Sequence, residues 1–242
     1  MAPACYCAGV TTLLLATRNA HKVEEIRAIL GSQFQFYTLN DFPGAPPVVE
    51  DADTFAGNAI KKAMVLADWR GRIQNPESRI KNGFVLADDS GLEVDALKGA
   101  PGVQSARFAA MDAATSGNTP DADNNAKLLR LLKDVPAEKR TARFRCVLAL
   151  TPVEQRESGV ESRSPVCYAN EIETRAELFD GVCEGEIIFE PRGQNGFGYD
   201  PLFVPDSFDK TFAELGDAVK NKLSHRARAL TKLKQRLDSV NK

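Results

Sequence analysis

The chain has 242 residues, 43% of them apolar, with 31 Lys and Arg against 33 Asp and Glu and a formal charge of −2. This is enough apolar material for a substantial core, in one α/β domain or in two lobes around a cleft. The near-neutral balance, without a long Lys/Arg run, excludes the basic stripe of a duplex nucleic-acid binder. No apolar run approaches membrane-spanning length, and the first ten residues carry no basic leader pattern. Five cysteines, Cys5, Cys7, Cys146, Cys167 and Cys183, fall in no four-ligand spacing and are expected to be reduced thiols. The expectation is a cytoplasmic protein with no membrane or nucleic-acid partner.

In chain order, Leu13-Leu14-Leu15-Ala16 predicts a buried strand, and Val23, Ile26, Ile29 and Leu30 recur at helical spacing until Gly31. Residues 1–10 are expected to form a flexible terminus and 11–240 a single domain. A second helix is expected from Thr54 as N-cap through Phe55, Ala59, Ala63 and Leu66 to about Trp69, followed by a loop over 71–82. The run Phe84-Val85-Leu86-Ala87 predicts a strand that ends at Asp88-Asp89-Ser90-Gly91, and Gly99-Ala100-Pro101-Gly102 predicts a turn. Asp121 opens a helix with Ala126, Leu129 and Leu132 on one face. Ala142, Phe144, Cys146, Leu148 and Leu150 alternate with Arg143 and Arg145, a strongly apolar face that predicts an antiparallel or edge strand. After polar residues 151–164, short β-like runs are expected at 165–169, 175–179 and 185–189. One final helix is expected over about 217–237, with Leu223, Ala227, Leu230 and Leu237 on its apolar face. Early alternation of strand and helix, with strands clustered later, predicts an α/β fold with a mixed sheet.

Three places could carry chemistry besides the acid pair. Thr17, Arg18, Asn19, Ala20, His21 and Lys22 form a strand-to-helix corner, where free N–H groups and a partial positive charge suit a phosphate. Asn19 could equally be only a helix cap. In Gly193-Gln194-Asn195-Gly196-Phe197-Gly198-Tyr199-Asp200-Pro201, three glycines alternate with aromatics, which permits close approach to a flat ligand; alternatively the rings drop into the core. Lys220 and Ser224-His225-Arg226 offer donors on the final helix, where an ideal wheel puts Lys220 and Arg226 beside the apolar face and His225 away from it. The acid pair itself either turns the chain or holds a hard divalent cation such as Mg²⁺ through carboxylate oxygens.

Taken together, Thr17-x-Asn19-x-x-Lys22, Phe55-x-x-Asn58-Ala59-x-x-Lys62-Ala63, Asp88-Asp89-Ser90-Gly91-Leu92, Gly99-Ala100-Pro101-Gly102, Asn195 to Pro201 and Ser224-His225-Arg226 closely resemble the inosine triphosphate pyrophosphatase family, over about Leu13 to Leu237. The resemblance implies an elongated mixed sheet with flanking helices, in two lobes around a nucleotide cleft, and a homodimer. It implies Mg²⁺-dependent hydrolysis of ITP, dITP and XTP to the monophosphate and pyrophosphate. By the same resemblance Thr17, Asn19, Lys22 and Lys62 hold the triphosphate. Asp89 is base and metal ligand with Glu50 as second acid, and Ser90 contacts substrate. Phe197, Gly198, Tyr199 and Asp200 line the nucleoside pocket, and Lys220, His225 and Arg226 read the base edge. Arg18 stands where the family usually has Gly or Ser, and 70–82 and 151–182 look longer than in compact members.

For triphosphate hydrolysis, the expectation is that Asp89 orients or deprotonates a water, while Asp88 raises its neighbour's proton affinity unless a cation is bound. A 6-oxo purine would reward donors from Arg226 or His225 that adenine leaves unpaired. Two rivals stay open at this point: a Maf-like pyrophosphatase of modified pyrimidine triphosphates, which the Phe197 to Asp200 and Ser224 to Arg226 motifs disfavour, and a non-catalytic nucleotide sensor.

Overall fold

The computed structural model describes residues 10–73, 80, 83–113, 117–154 and 175–240. Cys5, Cys7, Cys167, most of the 71–82 loop and the run at 165–169 lie outside the described residues. The strands are β1 (Thr11–Leu15), β2 (Phe34–Thr38), β3 (Phe84–Val94), β4 (Thr141–Pro152), β5 (Glu177–Ile187) and β6 (Phe203–Pro205). The helices are α1 (Ala20–Leu30), α2 (Phe55–Gly71), α3 (Ala110–Ala113), α4 (Asp121–Leu131), α5 (Phe212–Leu215), α6 (Asp217–Leu223) and α7 (His225–Val240). The sheet order is β2-β1-β3-β4-β5-β6. β1 runs parallel to β2 and β3, and β5 is antiparallel to β6, so the sheet of this α/β fold is mixed.

Local chemistry explains the helix ends. The Asn19 side chain accepts from the Lys22 N–H at the start of α1, and Thr54 accepts from the Gly57 N–H at the start of α2. Gly31, at φ 83°, ends α1 while its N–H bonds the Arg27 carbonyl.

The chain divides into two compact units, one comprising the stretch up to Asp88, Leu148–Phe179 and the stretch from Leu230, the other Asp89–Val147 and Asp180–Ala229. In the first unit Leu13, Leu14, Leu15, Ile26, Leu30, Leu66, Val85 and Leu86 are buried. The second is built on Leu92, Val94, Phe108, Leu128, Phe144, Tyr199, Phe203 and Phe212 among others. Phe144, Phe203 and Phe212 lie 4.7 to 6.0 Å apart by ring centroids.

Several expectations are corrected. The acids do not end a strand: β3 continues through Asp88, Asp89, Ser90 and Gly91 to Val94, with both acids buried. Tertiary partners, described below, override the poor β propensity of Asp. β4 is not an edge, since it lies between β3 and β5 and is buried at every position from Cys146 to Thr151. Its early polar positions are satisfied across the sheet, Arg143 by Asp95 and Glu184, Arg145 by Glu93. The runs at 175–179 and 185–189 belong to one strand, β5, whose Gly181 and Gly185 interrupt the apolar pattern for reasons of space.

The last helix is two. Ser224 takes an extended conformation, φ −65° and ψ 163°, and α7 starts afresh at His225. A single helical wheel therefore misplaces this region. His225 does not point away from the core but stacks on Phe144, with centroids 4.8 Å apart and planes at 13°. In α4 the buried residues are Asn124, Lys127 and Leu128, while Ala126 is exposed. Lys127 Nζ donates to the Phe108 carbonyl at 2.7 Å and Asn124 Oδ1 accepts from the Ala109 N–H at 2.8 Å, so polar side chains face inward because they have partners there. Strand β2 carried no sequence expectation.

Candidate nucleotide site

The expected site residues fall in both units, and the division passes between Asp88 and Asp89. In the first unit, β1 delivers the chain to the corner before α1. Thr17 Oγ1 accepts from the Asn19 N–H at 3.1 Å and Asn19 Oδ1 from the Lys22 N–H at 3.2 Å, so both side chains shape the corner. Arg18, Asn19, Ala20 and His21 are exposed, with Lys22 half-buried behind them. Lys22 Nζ is ion-paired with the Asp88 carboxylate, whose side chain is 2% exposed.

Lys62, buried on α2, donates to the Asp88 carbonyl at 2.7 Å and lies 3.3 Å from Glu50 Oε2. The acidic segment before α2 is tied to that helix. Asn58 accepts from the Ala52 N–H at 2.9 Å, and Lys61 pairs with Asp51 at 2.5 Å. The Lys61 ammonium holds the Asp51 carboxyl below its usual range. Glu50 thus stands beside a cation.

Successive residues of an extended strand point to opposite faces, and Asp88 is neutralised by its own cation.

In the second unit, Asp89 is 6% exposed. The next residue, Ser90, accepts at Oγ from Arg226 Nη2 at 2.9 Å. Arg226 is able to reach β3 because α7 begins directly against β5. A Cβ at Gly181 would stand 2.0 Å from the His225 carbonyl oxygen and 2.7 Å from the Ala229 nitrogen. Gly181 is a residue that the sequence reading passed over, and its signal was a glycine inside a strand, which marks close backbone approach.

The Gly-rich loop is held by its own acid. Asp200 Oδ2 accepts from the Phe197 N–H at 2.8 Å and from Lys220 Nζ at 2.5 Å, and the Lys220 and Asp200 side chains are each 2% exposed. Lys220 Nζ lies 4.3 Å from the centroid of Phe197, with the Arg226 guanidinium carbon at 5.9 Å, so two cations attend one ring. Gly196 and Gly198 take φ 77° and 63°, which fits glycine. Tyr199 has dropped into the core: its hydroxyl donates to the Ser105 carbonyl at 2.9 Å, and burial pushes its pKa up. Ser105, absent from the sequence expectations, accepts from the Leu92 N–H of β3 at 2.9 Å and so joins loop, turn and strand.

No cluster of three or more His, Cys, Asp or Glu side chains that could hold a metal occurs among the described residues. Mg²⁺ does not require one, since it takes one or two carboxylates together with substrate phosphates and waters. Asp89 and Glu50 are oxygen donors of the kind a hard cation accepts, whereas the buried thiols Cys146 and Cys183 are not. No described helix is long and apolar enough to cross a membrane.

These features define a mixed α/β protein with a cation-lined helix corner, a buried strand carboxylate and a cation-flanked aromatic loop. The Ham1 family model matches residues 13–236, and the chain belongs to that family. It is 44% identical over 229 residues to a dITP/XTP pyrophosphatase of Desulforamulus reducens, covering 94% of this chain and 96% of the relative. To the dITP/XTP pyrophosphatase of Geobacter sulfurreducens it is 44% identical over 230 residues, covering 94% and 97%. Among solved structures, a HAM1 protein from Coxiella burnetii superposes with a TM-score of 0.73 at 36% identity, covering 95% of this chain and 99% of that one. A nucleoside-triphosphatase, dITP/XTP pyrophosphatase, from Mycobacterium abscessus gives 0.64 at 35% identity, covering 92% and 98%.

Proposed function

We propose that this chain hydrolyses deaminated purine nucleoside triphosphates, ITP, dITP and XTP, to the monophosphate and pyrophosphate, and so cleanses the nucleotide pool. Relatives at 44% identity over 94% of the chain carry the name dITP/XTP pyrophosphatase. The observation that carries most weight is the hydrogen bond from Arg226 to Ser90. It ties a guanidinium that flanks the Phe197 ring to Ser90, the neighbour of the buried Asp89 along β3.

In this proposal Asp89 and Glu50 hold Mg²⁺, which when bound neutralises phosphate oxygens. The α1 corner and Lys62 cradle the triphosphate, and Lys22 shifts part of its charge from Asp88 to a phosphate oxygen. Asp89 orients a water and accepts its proton as the water oxygen attacks phosphorus; pyrophosphate leaves with the electron pair of the broken anhydride bond. Phe197 stacks on the base, and Arg226 and His225 donate to its 6-oxo group. A buried donor left unpaired by adenine supports discrimination of up to about 10⁴. Guanine shares the 6-oxo group, so its exclusion must come from contacts at the 2-position. Tyr199, spent on Ser105, supports the pocket rather than touching the nucleotide. A homodimer and a cytoplasmic location belong to the same proposal.

The test is turnover of ITP, XTP, GTP, ATP and modified pyrimidine triphosphates with and without Mg²⁺, with the products identified. Monophosphate and pyrophosphate from ITP and XTP, only with the cation, is the expected result. Orthophosphate release, a pyrimidine preference or no turnover would overturn it.

A further inference from the structure

We propose that Asp121 and Asn125, on the first turns of α4, are positioning residues for base recognition that work by clamping both polar groups of Gly198. This rests on the proposed role of Phe197 as the surface on which the base stacks. Asp121 Oδ2 accepts from the Gly198 N–H at 2.6 Å, and Asn125 Nδ2 donates to the Gly198 carbonyl at 3.0 Å. The spacing is one helical turn, so the two side chains stand on the same face of α4 and reach a single residue 73 to 77 positions away in sequence.

Gly198 needs such a hold. Its φ is 63°, and a Cβ there would meet nothing within 4 Å, so the position has no side chain to anchor it. On the other side of Phe197 the Asp200 carboxylate binds the Phe197 N–H. The backbone on either side of the ring is thereby gripped, by Asp200 from within the loop and by Asp121 and Asn125 from α4. Lys220 and Arg226 then meet the ring at 4.3 and 5.9 Å because its backbone is held.

A purely structural role explains Asn125 poorly. Its Oδ1 is buried and accepts no hydrogen bond among the described residues, an arrangement that lowers stability rather than raising it. Asp121 is exposed and is not the N-cap of α4, a position held by Pro120. Neither residue belongs to the phosphate-binding or proton-transfer machinery.

The experiment compares D121A, D121N and N125A with the unaltered protein, by steady-state kinetics on ITP and GTP and by hydrogen exchange at the Phe197 and Gly198 amides without ligand. Losing a hydrogen bond to a charged group should raise the KM for ITP in D121A by about tenfold and lower the ITP-to-GTP ratio of kcat/KM by a similar factor, with kcat within about threefold. Exchange at Gly198 should quicken by about tenfold or more for the same reason. D121N, whose amide oxygen can still accept, should recover much of both, and N125A should show the smaller effect of a neutral bond. Unchanged exchange, or a lowered Tm with unaltered KM and selectivity, overturns the clamp. If the unaltered protein turns over no deaminated purine triphosphate, the functional proposal fails and the base-recognition role with it; the exchange data then show separately whether the clamp exists.

Discussion

Lys22 and Asp88, 66 positions apart in sequence, form an ion pair that joins the α1 corner to the middle of β3. The same Asp88 residue offers its carbonyl to Lys62 of α2. One acid therefore organises two of the cations expected to face the triphosphate, and in the proposed reaction its neighbour Asp89 orients the water. The two isosteric substitutions should separate these roles. Asp89→Asn is expected to lower kcat by about 10² to 10⁴ with Tm near that of the unaltered protein. Asp88→Asn should cost about 2 kcal/mol of stability and chiefly change the KM, with kcat within tenfold. Parallel kinetics and thermal melts decide, and a larger kcat loss in D88N would reverse the assignment.

The pair between Lys220 and Asp200 is fully enclosed. Removing one partner leaves the other charge buried without this counter-charge, so Lys220→Met should cost about 3 to 5 kcal/mol. In a chain of this length that corresponds to roughly 10 °C in Tm. A double variant, Lys220→Met with Asp200→Leu, should lose less than the sum of the single variants. Strict additivity in the cycle would count against coupling.

Two glycines make a contrast. Gly181→Ala puts a methyl where the His225 carbonyl already stands, which displaces the start of α7. It should cost about 1 to 3 kcal/mol and also lower kcat/KM, because Arg226 moves relative to Ser90. Gly31→Ala meets open space but keeps φ 83°, ψ −174°, so it should cost about 2 kcal/mol through backbone strain alone and leave activity intact. Melting curves and kinetics on both variants test whether close approach at Gly181 reaches the site.

Cys183 supplies a pH prediction. Burial pushes its thiol from 9.0 up to about 11. Between those values the unfolded chain has lost a proton that the folded chain keeps, so stability is full below about pH 9 and falls as pH rises towards 11. The loss is on the order of 2 kcal/mol. Cys183→Ala should flatten the pH dependence of denaturant unfolding between pH 9 and 10, before the raised Tyr199 hydroxyl contributes. An unchanged slope in that variant would assign the effect elsewhere.

Sequence alone, without any partner in space, settled the features that depend on neighbours along the chain. Asn19 and Thr54 cap α1 and α2, and Gly31 ends α1, because each acts on backbone groups within four residues. The apolar run Leu13 to Ala16 and the ordered motifs marked the mixed α/β fold and the family. Long-range partners decided the rest. Asp88 and Asp89 read as the end of a strand until Lys22 and Lys62 make Asp88 tolerable inside one. Gly181 reads as part of a break between two strands until α7 is seen to need the space. Arg226 reads as flanking the apolar face of one helix and His225 as pointing away from it, until Ser224 divides the helix and both are buried. Periodicity reports which face is apolar, but a buried charge is permitted only by the group that meets it, and that group lies in another part of the chain.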